Sequence, residues 1–472
     1  MTSAPNHLLQ LNGNKYWLYI YIVLFSCSVP QKTVQTKESQ IVIGNKEKVV
    51  PTDKEAAKST TSIQKDTLKE SVTKVKIDTV SWKDVSDMNP PVKVTTQVVT
   101  NTNDIKPIYN IKLLIPLNSD SYSDPTTSRF THFYAGLLKA LDELELEGIK
   151  LNIDVIDTED GNYKVSENVY NILTADTDLV IGPFEKDDLK LMVEECKIRS
   201  ITLVSPWQTS TKLTNDNPYY VQIKPNLKDH FVKLAEATAE SYQAGEVVII
   251  GKNTKETNSW INYFQQAAAA VTNNKQFYES YFVTADSLNT GPTAFKRLFK
   301  NTKIKAIIIP NYSYSDEDFM YGCLRRLAAE KGNRPISVYG MPIMYDSDKV
   351  DFDFYHALQM KVIMSDFVDE NYGIIREFRR DFLDKYGEIP NADAVKGYDL
   401  TMFLGRNLWK YGRKFQNYLE NEITTYLQST YNIQKAKSED TSTQSDPLRF
   451  DYFENKHLDI IEFKGNKWQR KY

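Results

Sequence analysis

Residues 110–117 (NIKLLIPL) form a short, nearly continuous apolar run, the pattern of a strand covered on both faces. Thr126, Thr127 and Ser128 then offer N-cap oxygens to a helix. In that helix Phe130, Phe133, Tyr134, Leu137, Leu138, Leu141 and Leu144 recur at the spacing of one helical face. Ile149, Leu151, Ile153 and Val155 alternate with polar residues up to Asp157 and predict a second strand. Strand, helix and strand in this order imply a parallel pair with a right-handed crossover. The beat continues through the apolar run 179–181 into Gly182-Pro183, a helix over 186–197, and the run 201–204 into Ser205-Pro206. A second series opens at 246–250 and continues with a helix over 260–271. Strands near Tyr281, at 306–309 and at 336–339 alternate with helices at 295–299 and 319–329. The alternation predicts an α/β fold with mostly parallel sheets. A helix over 229–242 between the two series implies two lobes in place of one very wide sheet.

The first hundred residues do not follow this beat. Lys15 precedes an apolar run from Tyr16 to Phe25 that ends at Ser26-Cys27, the three parts of a secretory signal. The run is shorter than the roughly 20 residues a spanning helix needs. Lys, Thr, Val, Ser, Asp and Glu then dominate up to Pro107 with no sustained apolar stripe, and at most an isolated strand fits at 92–100. Residues 1–26 therefore read as a signal peptide and 27–107 as a flexible polar tether, or as a tether that hides a small degenerate glycan-binding module.

Composition narrows the chemistry. The 472 residues are 41% hydrophobic and 25% charged, ordinary for a soluble globular protein, and leave room for two or three domains. A net charge of −4 gives no global attraction to nucleic acid. The 18 glycines are few for this length, and P-loop, Rossmann and G-x-S-x-G patterns are absent from the sequence. His7, His132, His230, His356 and His457 stand apart and make no metal-ligand spacing. Asp346, Asp348, Asp351 and Asp353 lack the glycine and terminal glutamate of a calcium loop and read as a solvated loop. Glu194-Glu195 lie in a charge pattern typical of a wet helix face. Cys196 and Cys323 read as small buried hydrophobes. These features predict no enzyme, no cofactor and no metal.

Several motifs resemble the type I periplasmic-binding family, in its leucine/isoleucine/valine-binding branch. Phe133-Tyr134-Ala135-Gly136 with Ala140-Leu141-Asp142 is similar to the family's first helix. Asp157-Thr158-Glu159-Asp160, Ile181-Gly182-Pro183 and Val204-Ser205-Pro206 resemble its second, third and fourth strand ends. Leu213-Thr214 and Tyr219-Tyr220-Val221-Gln222 continue the register. The segment 378–386 with Gly387, Pro390 and Gly397-Tyr398-Asp399 resembles its returning helices. Asp446-Pro447-Leu448-Arg449-Phe450 and the segment 460–468 resemble its closing strands. Leu24-Phe25-Ser26-Cys27 resembles the lipobox of bacterial lipoproteins, in which the cysteine is acylated.

The resemblance implies two Rossmann-like lobes joined by a multi-crossing hinge. Lobe 1 spans 108–226 and returns at 368–445, lobe 2 spans 227–367, and 446–472 is a C-terminal strand pair at the hinge and lobe 2. It places crossings near residues 224–226, near 367–370 and before the final strands. It implies an extracytoplasmic solute-binding lipoprotein of the ABC-transporter kind, anchored to a bacterial membrane and facing the periplasm. The alternative is an envelope scaffold that uses the same fold for a protein partner, like activators of peptidoglycan synthases. Amino-acid-binding members hold the ligand carboxylate with hydroxyls and N–H groups at the third and fourth strand ends. Here those ends read Gly182-Pro183-Phe184-Glu185-Lys186 and Trp207-Gln208-Thr209-Ser210, and Thr209 is the best match. The expected ligand contacts are Trp207, Gln208 and Thr209 from lobe 1, facing Trp260, Tyr312 and Met341 from lobe 2. Pro342 stands near the place of the acidic residue that pairs a ligand ammonium, so a standard branched-chain amino acid is not expected. The expected ligand is amino acid, peptide or sugar-like, with the aromatic cleft suited to stack on a sugar or a flat ring, or else the rings seal a ligand-free interface. If Cys27 carries the anchor, Cys27→Ala moves the protein from the membrane fraction to the soluble fraction on cell fractionation. A variant that stays in the membrane with its leader uncleaved overturns the lipobox reading.

Overall fold

A computed structural model describes residues 105–471, apart from 119–124, 160–162, 253, 273–277, 292, 371 and 439–449. The leader, Cys27, nearly all of the tether, Asn253 and residues 446–449 lie outside the described residues. Among the described residues no helix is long and apolar enough to cross a membrane.

The chain opens with β1 (Tyr109–Ile115), α1 (Pro125–Leu146), β2 (Leu151–Asp157), α2 (Val165–Ile172), β3 (Leu179–Ile181), α3 (Lys186–Arg199), β4 (Thr202–Ser205) and β5 (Tyr220–Gln222). It crosses to a second body made of α4 (Leu227–Ser241), β6 (Val247–Lys252), α5 (Lys255–Val271), β7 (Glu279–Val283), α6 (Ala285–Asn289), β8 (Ala306–Ile309) and α7 (Glu317–Glu330). That body continues through β9 (Ser337–Gly340), α8 (Ile343–Asp346), α9 (Phe352–Ala357) and β10 (Lys361–Met364). The chain then returns through α10 (Gly373–Tyr386), α11 (Ala392–Tyr411), β11 (Ile423–Thr425), β12 (Thr430–Ala436) and β13 (Tyr452–Asn455). It ends in β14 (Asp459–Lys464) and β15 (Lys467–Arg470).

Two sheets result. Lobe 1 is eight-stranded in the order β11-β12-β13-β5-β4-β3-β1-β2, and lobe 2 seven-stranded in the order β15-β14-β10-β9-β8-β6-β7. Strands β1 to β5 and β6 to β10 are parallel within their sheets, and the antiparallel pairs come from the returning chain. The expected middle helix is α4, and it packs into the lobe 2 core. The last segment divides: β13 joins the lobe 1 sheet while the hairpin β14-β15 extends lobe 2. Helix α1 starts at Pro125, ahead of the three hydroxyl residues read as caps, because the fixed φ of proline suits a first helical turn. Strands β11 and β12 had no clear counterpart in the apolar pattern, since β11 is largely exposed and β12 mixes Asn, Gln and Lys into its run. Cys196 and Cys323 are both buried and free.

Two motif glycines have a packing reason. Helices α1 and α11 cross so closely that a methyl on Gly136 would lie 1.8 Å from the Ala394 carbonyl oxygen. One on Gly397 would lie 2.0 Å from that of Phe133. Both obstacles are backbone, so relief requires the helices to part. Asp399, two residues further along α11, accepts the backbone N–H groups of Leu427, Gln428 and Ser429 at 3.0, 2.9 and 2.8 Å and fixes the helix to the start of β12. Gly397→Ala and Gly136→Ala are each expected to cost about 1–3 kcal/mol or more in urea unfolding. Gly245→Ala, where a methyl meets nothing within 4 Å, is the control and should stay within about 0.5 kcal/mol.

Candidate functional site

The carboxyl ends of the central strands of both sheets face a cavity of about 900 Å³ between the lobes. This is where open α/β sheets place ligands. Its lobe 1 wall is built from Arg129 of α1, from Thr209 beyond β4, and from residues 390–396 at the start of α11. Asn391 caps that helix by accepting the N–H groups of Asp393 and Ala394. The lobe 2 wall carries Tyr312 and Tyr314 beyond β8, and Met341, Pro342, Tyr345 and Asp346 beyond β9. The floor is the hinge itself: Lys224 and Pro225 of the first crossing and residues 364–368 of the second.

Charged groups concentrate on the floor and the lobe 1 wall. Lys396 of α11 meets Asp366 at 2.5 Å and Asp393 at 3.8 Å, and Arg129 meets Asp393 at 3.3 Å. The Ser365 hydroxyl donates to Asp366 at 2.9 Å. Burial alone would push the Asp366 carboxyl up, but the ammonium groups of Lys396 and Lys224 more than reverse this and hold it well below the usual carboxylate range. At the cleft mouth Arg379 pairs with Glu370 at 2.7 Å. His230, at the start of α4, is buried, and burial holds its imidazole below its ordinary value. Its Nδ1–H donates to the carbonyl of Asn226 at 2.9 Å. Among the described residues no group of three His, Cys, Asp or Glu side chains is placed to hold a metal ion.

The residues singled out from sequence separate into two sets. Thr209, Tyr312 and Met341 line the cavity. Trp207, Gln208 and Trp260 do not. Trp207 is 7% exposed and turns back into the lobe 1 core, with its ring centroid 5.4 Å from Phe130, 5.1 Å from Phe133 and 5.9 Å from Phe184. It comes so close to the β3 end that a methyl on Gly182 would lie 3.3 Å from its Cζ3. Its buried indole N–H meets no acceptor among the described residues. Gln208 donates to the Phe184 carbonyl at 3.0 Å and so closes the same aromatic lid. Trp260 is buried behind Tyr312, ring centroids 4.7 Å apart, and supports the wall without forming it. Asp346 is exposed, in keeping with the solvated reading, but it opens onto the cleft and accepts from the Tyr314 hydroxyl at 3.4 Å. Asp351 caps α9 instead.

Sequence reasoning missed Lys224, Asp366 and Lys396 as cleft residues. Lys224 and Asp366 fall inside or beside crossings that the resemblance located, and an ionisable residue at a crossing is the one available signal. Lys396 sits directly before the Gly397-Tyr398-Asp399 motif, with no local cue to its partner.

The comparisons agree with this architecture. Residues 140–316 match the family model described as receptor family ligand binding region. No curated protein matches the chain in sequence. Among solved structures, a putative branched-chain amino acid ABC transporter protein from Rhodospirillum rubrum aligns at 14% identity and TM-score 0.56, covering 77% of this chain and 100% of that one. A branched chain amino acid ABC transporter periplasmic ligand-binding protein from Burkholderia xenovorans aligns at 11% identity and TM-score 0.53, covering 77% and 94%. The C-domain of LpoA from Haemophilus influenzae, a regulator of PBP1A, aligns at 10% identity and TM-score 0.51, covering 77% and 100%. The chain thus has the type I periplasmic-binding fold.

The Asp366–Lys396 pair gives stability a definite pH dependence. An unfolded aspartate titrates near about 3.9. The folded carboxyl titrates lower, so its contribution is complete above about pH 5 and is lost as pH falls through and below about 4. Asp366→Asn is expected to flatten the acid limb of a melting-temperature profile. An unchanged slope between about pH 3 and 5 means that the pair does not contribute.

Proposed function

We propose that the protein is an extracytoplasmic solute-binding protein that captures a small molecule between its lobes, as substrate-binding proteins of ABC transporters do. The single observation that carries this is the cavity of about 900 Å³ on the hinge, walled by both sheets. It falls in the size range of small-molecule sites, which run to about 1,000 Å³. Its walls mix aromatic and aliphatic faces with a small number of charged groups, which suits orientation of a polar solute. Three crossings allow the lobes to bend toward each other around a ligand. The role is binding rather than catalysis, with the body held at a bacterial membrane by acylated Cys27 through its tether. The ligand class from lobe 1 differs from that of the branched-chain amino acid proteins, because Trp207 and Phe184 occupy the strand ends where small hydroxyls are expected.

That same aromatic lid supports a second reading. A lobe 1 sealed by Trp207 needs no ligand at its strand ends, and the LpoA C-domain uses this fold as a regulator. In this reading the outer surface meets an envelope protein and the cleft is only the gap between lobes.

The readings part in one experiment. Thermal scans of the full chain are run with and without cell-envelope extract, on wild type, Met341→Trp and Trp207→Ala. Solute binding predicts a ligand-induced rise in melting temperature that Met341→Trp abolishes by filling the cleft. Trp207→Ala should lose about 3–5 kcal/mol of stability from the cavity it leaves, yet keep the rise. A rise that survives in Met341→Trp moves the site out of the cleft. No rise with any extract, together with co-purification of one envelope protein, favours the scaffold.

A further inference from the structure

Most charged groups of the cleft are already answered by an opposite charge, and one is not. Arg129 has Asp393, Lys396 has both Asp366 and Asp393, and Arg379 has Glu370. Lys224 has none. Among the described residues no carboxylate oxygen lies within 4.0 Å of its ammonium, and its only hydrogen bond is through its backbone carbonyl, which accepts from Gln222. The residue is half-buried on the first crossing and lines the cavity floor. Lys224, Lys396 and Arg129 share one electrostatic neighbourhood with Asp366, Asp393 and, from the lobe 2 wall, Asp346. The like charge of Lys396 is the strongest influence on Lys224 and pushes its ammonium below the ordinary lysine value. Of the three cations Lys224 alone has no carboxylate in contact among the described residues, and a half-buried ammonium beside a second one favours an anion that reaches contact distance.

The structure leaves only one direction for that anion. Behind Lys224 a side cavity reaches Pro206, Ser429 and Tyr431, and its volume of about 20 Å³ admits at most a water. In front lies the open cleft. The remaining cleft carboxylate, Asp346, belongs to the lobe 2 wall and is held by Tyr314. At the ends of β3 and β4 the aromatic lid of Phe184 and Trp207 takes the place of a row of hydroxyls and leaves Thr209 beyond β4 to line the cleft.

We propose that Lys224 is the anion-binding position of this cleft, and that the solute it takes carries a carboxylate seated on the hinge floor beside Lys396. The proposal rests on the reading of the cleft as a solute site and names the charge of its ligand. It shifts recognition from the strand ends to the crossing segment, so that ligand charge and hinge geometry are read by the same residue. Lysine serves here as a point charge for one oxyanion, whereas the guanidinium of Arg129 is already committed to Asp393.

The test uses the full chain and matched probe pairs in which only the carboxylate is lost: propionate and propionamide, glutarate and glutaramide, L-leucine and L-leucinamide, with glucose as a neutral probe. Binding is followed by calorimetry and by melting temperature. Acids that bind are expected to bind about tenfold or more tightly than their amides, since a charge-assisted contact is at stake. Lys224→Met should weaken those acids by a similar factor and Lys224→Arg should largely restore them. An amide that binds as well as its acid, glucose as the sole binder, or acid binding unchanged in Lys224→Met overturns the proposal. If no probe binds wild type, the reading of the cleft loses support, and the charge argument is still decided without ligand. A half-buried ammonium without a contact partner, beside the like charge of Lys396, predicts that Lys224→Met melts higher than wild type. A variant that melts at the same temperature or lower shows that the protein already satisfies Lys224, which overturns the proposal independently.

Discussion

A single buried carboxylate organises the hinge on which both lobes depend. Glu454 of β13 is fully buried, and its oxygens accept the backbone N–H of Asn226 at 2.7 Å, the Asn226 amide at 2.8 and 3.0 Å, and the Gln222 amide at 3.2 Å. The Lys456 ammonium closes the set at 2.6 Å and reaches Asp229 of α4 at 2.8 Å. An ionised group this deep persists only with a full set of partners. Those partners come from the first crossing, the third crossing and the opening helix of lobe 2. The position of each is therefore tied to the others, and truncation of Glu454 would strip the Lys456 ammonium of one of its two carboxylates and leave the Asn226 backbone N–H without its acceptor.

The second crossing is held by an analogous device from the opposite charge. Arg470 at the end of β15 pairs with Asp459 at 2.8 Å while its remaining N–H groups donate to the carbonyls of Phe367 and Gln428 at 3.0 and 2.9 Å. Gln428 belongs to lobe 1, so the last strand of lobe 2 grips the floor of the cleft from below. Lys224 lies between Gln222 and Asn226, both bound to Glu454, and Asp366 lies next to Phe367, bound to Arg470. The cleft floor is thus a pair of chain segments whose backbones are fixed by ionic hydrogen bonds on the far side. Their side chains face the cavity from rigid supports, which is the condition for a site to hold its geometry while the lobes bend.

Much of the fold was legible because burial on both faces leaves a plain mark. The runs around β6 and β8 are apolar nearly throughout and almost wholly buried, and β1 is broken only by the half-buried Asn110 and Lys112. The motif glycines 136 and 397 were legible as motif and became intelligible as a helix crossing only with the structure. The cleft was legible in part. Tyr312 and Met341 follow buried strands directly, and a short turn at a strand's carboxyl end has little choice but to face the gap. Trp207 follows β4 in the same way yet folds inward, because Phe130 and Phe133 on α1 and the bare backbone at Gly182 leave a ring-sized space beside it. That space is made by three separate elements, and no local pattern in the sequence records it. The ion pairs escaped for the same reason, since Lys396, Asp366 and Arg129 come from three distant segments and each is unremarked in its own neighbourhood.

The charge pattern also bears on what kind of interface the two lobes make. A dry, permanently closed interface tolerates aromatic rings, and the Trp207 lid shows that lobe 1 has them to spare. It does not tolerate a lysine ammonium stripped of water beside a second lysine, because desolvation and repulsion then act in the same direction. With Lys224 in this position the lobes have two stable options. The cleft stays open and wet over the floor, or it closes on something that brings a negative charge. If the cleft takes a solute, the first option is the empty protein and the second its loaded form, and the side chain that opposes closure without a ligand favours it with one. A protein used only as a rigid platform gains nothing from such a residue, whereas in a binding protein it couples occupancy to the angle between the lobes.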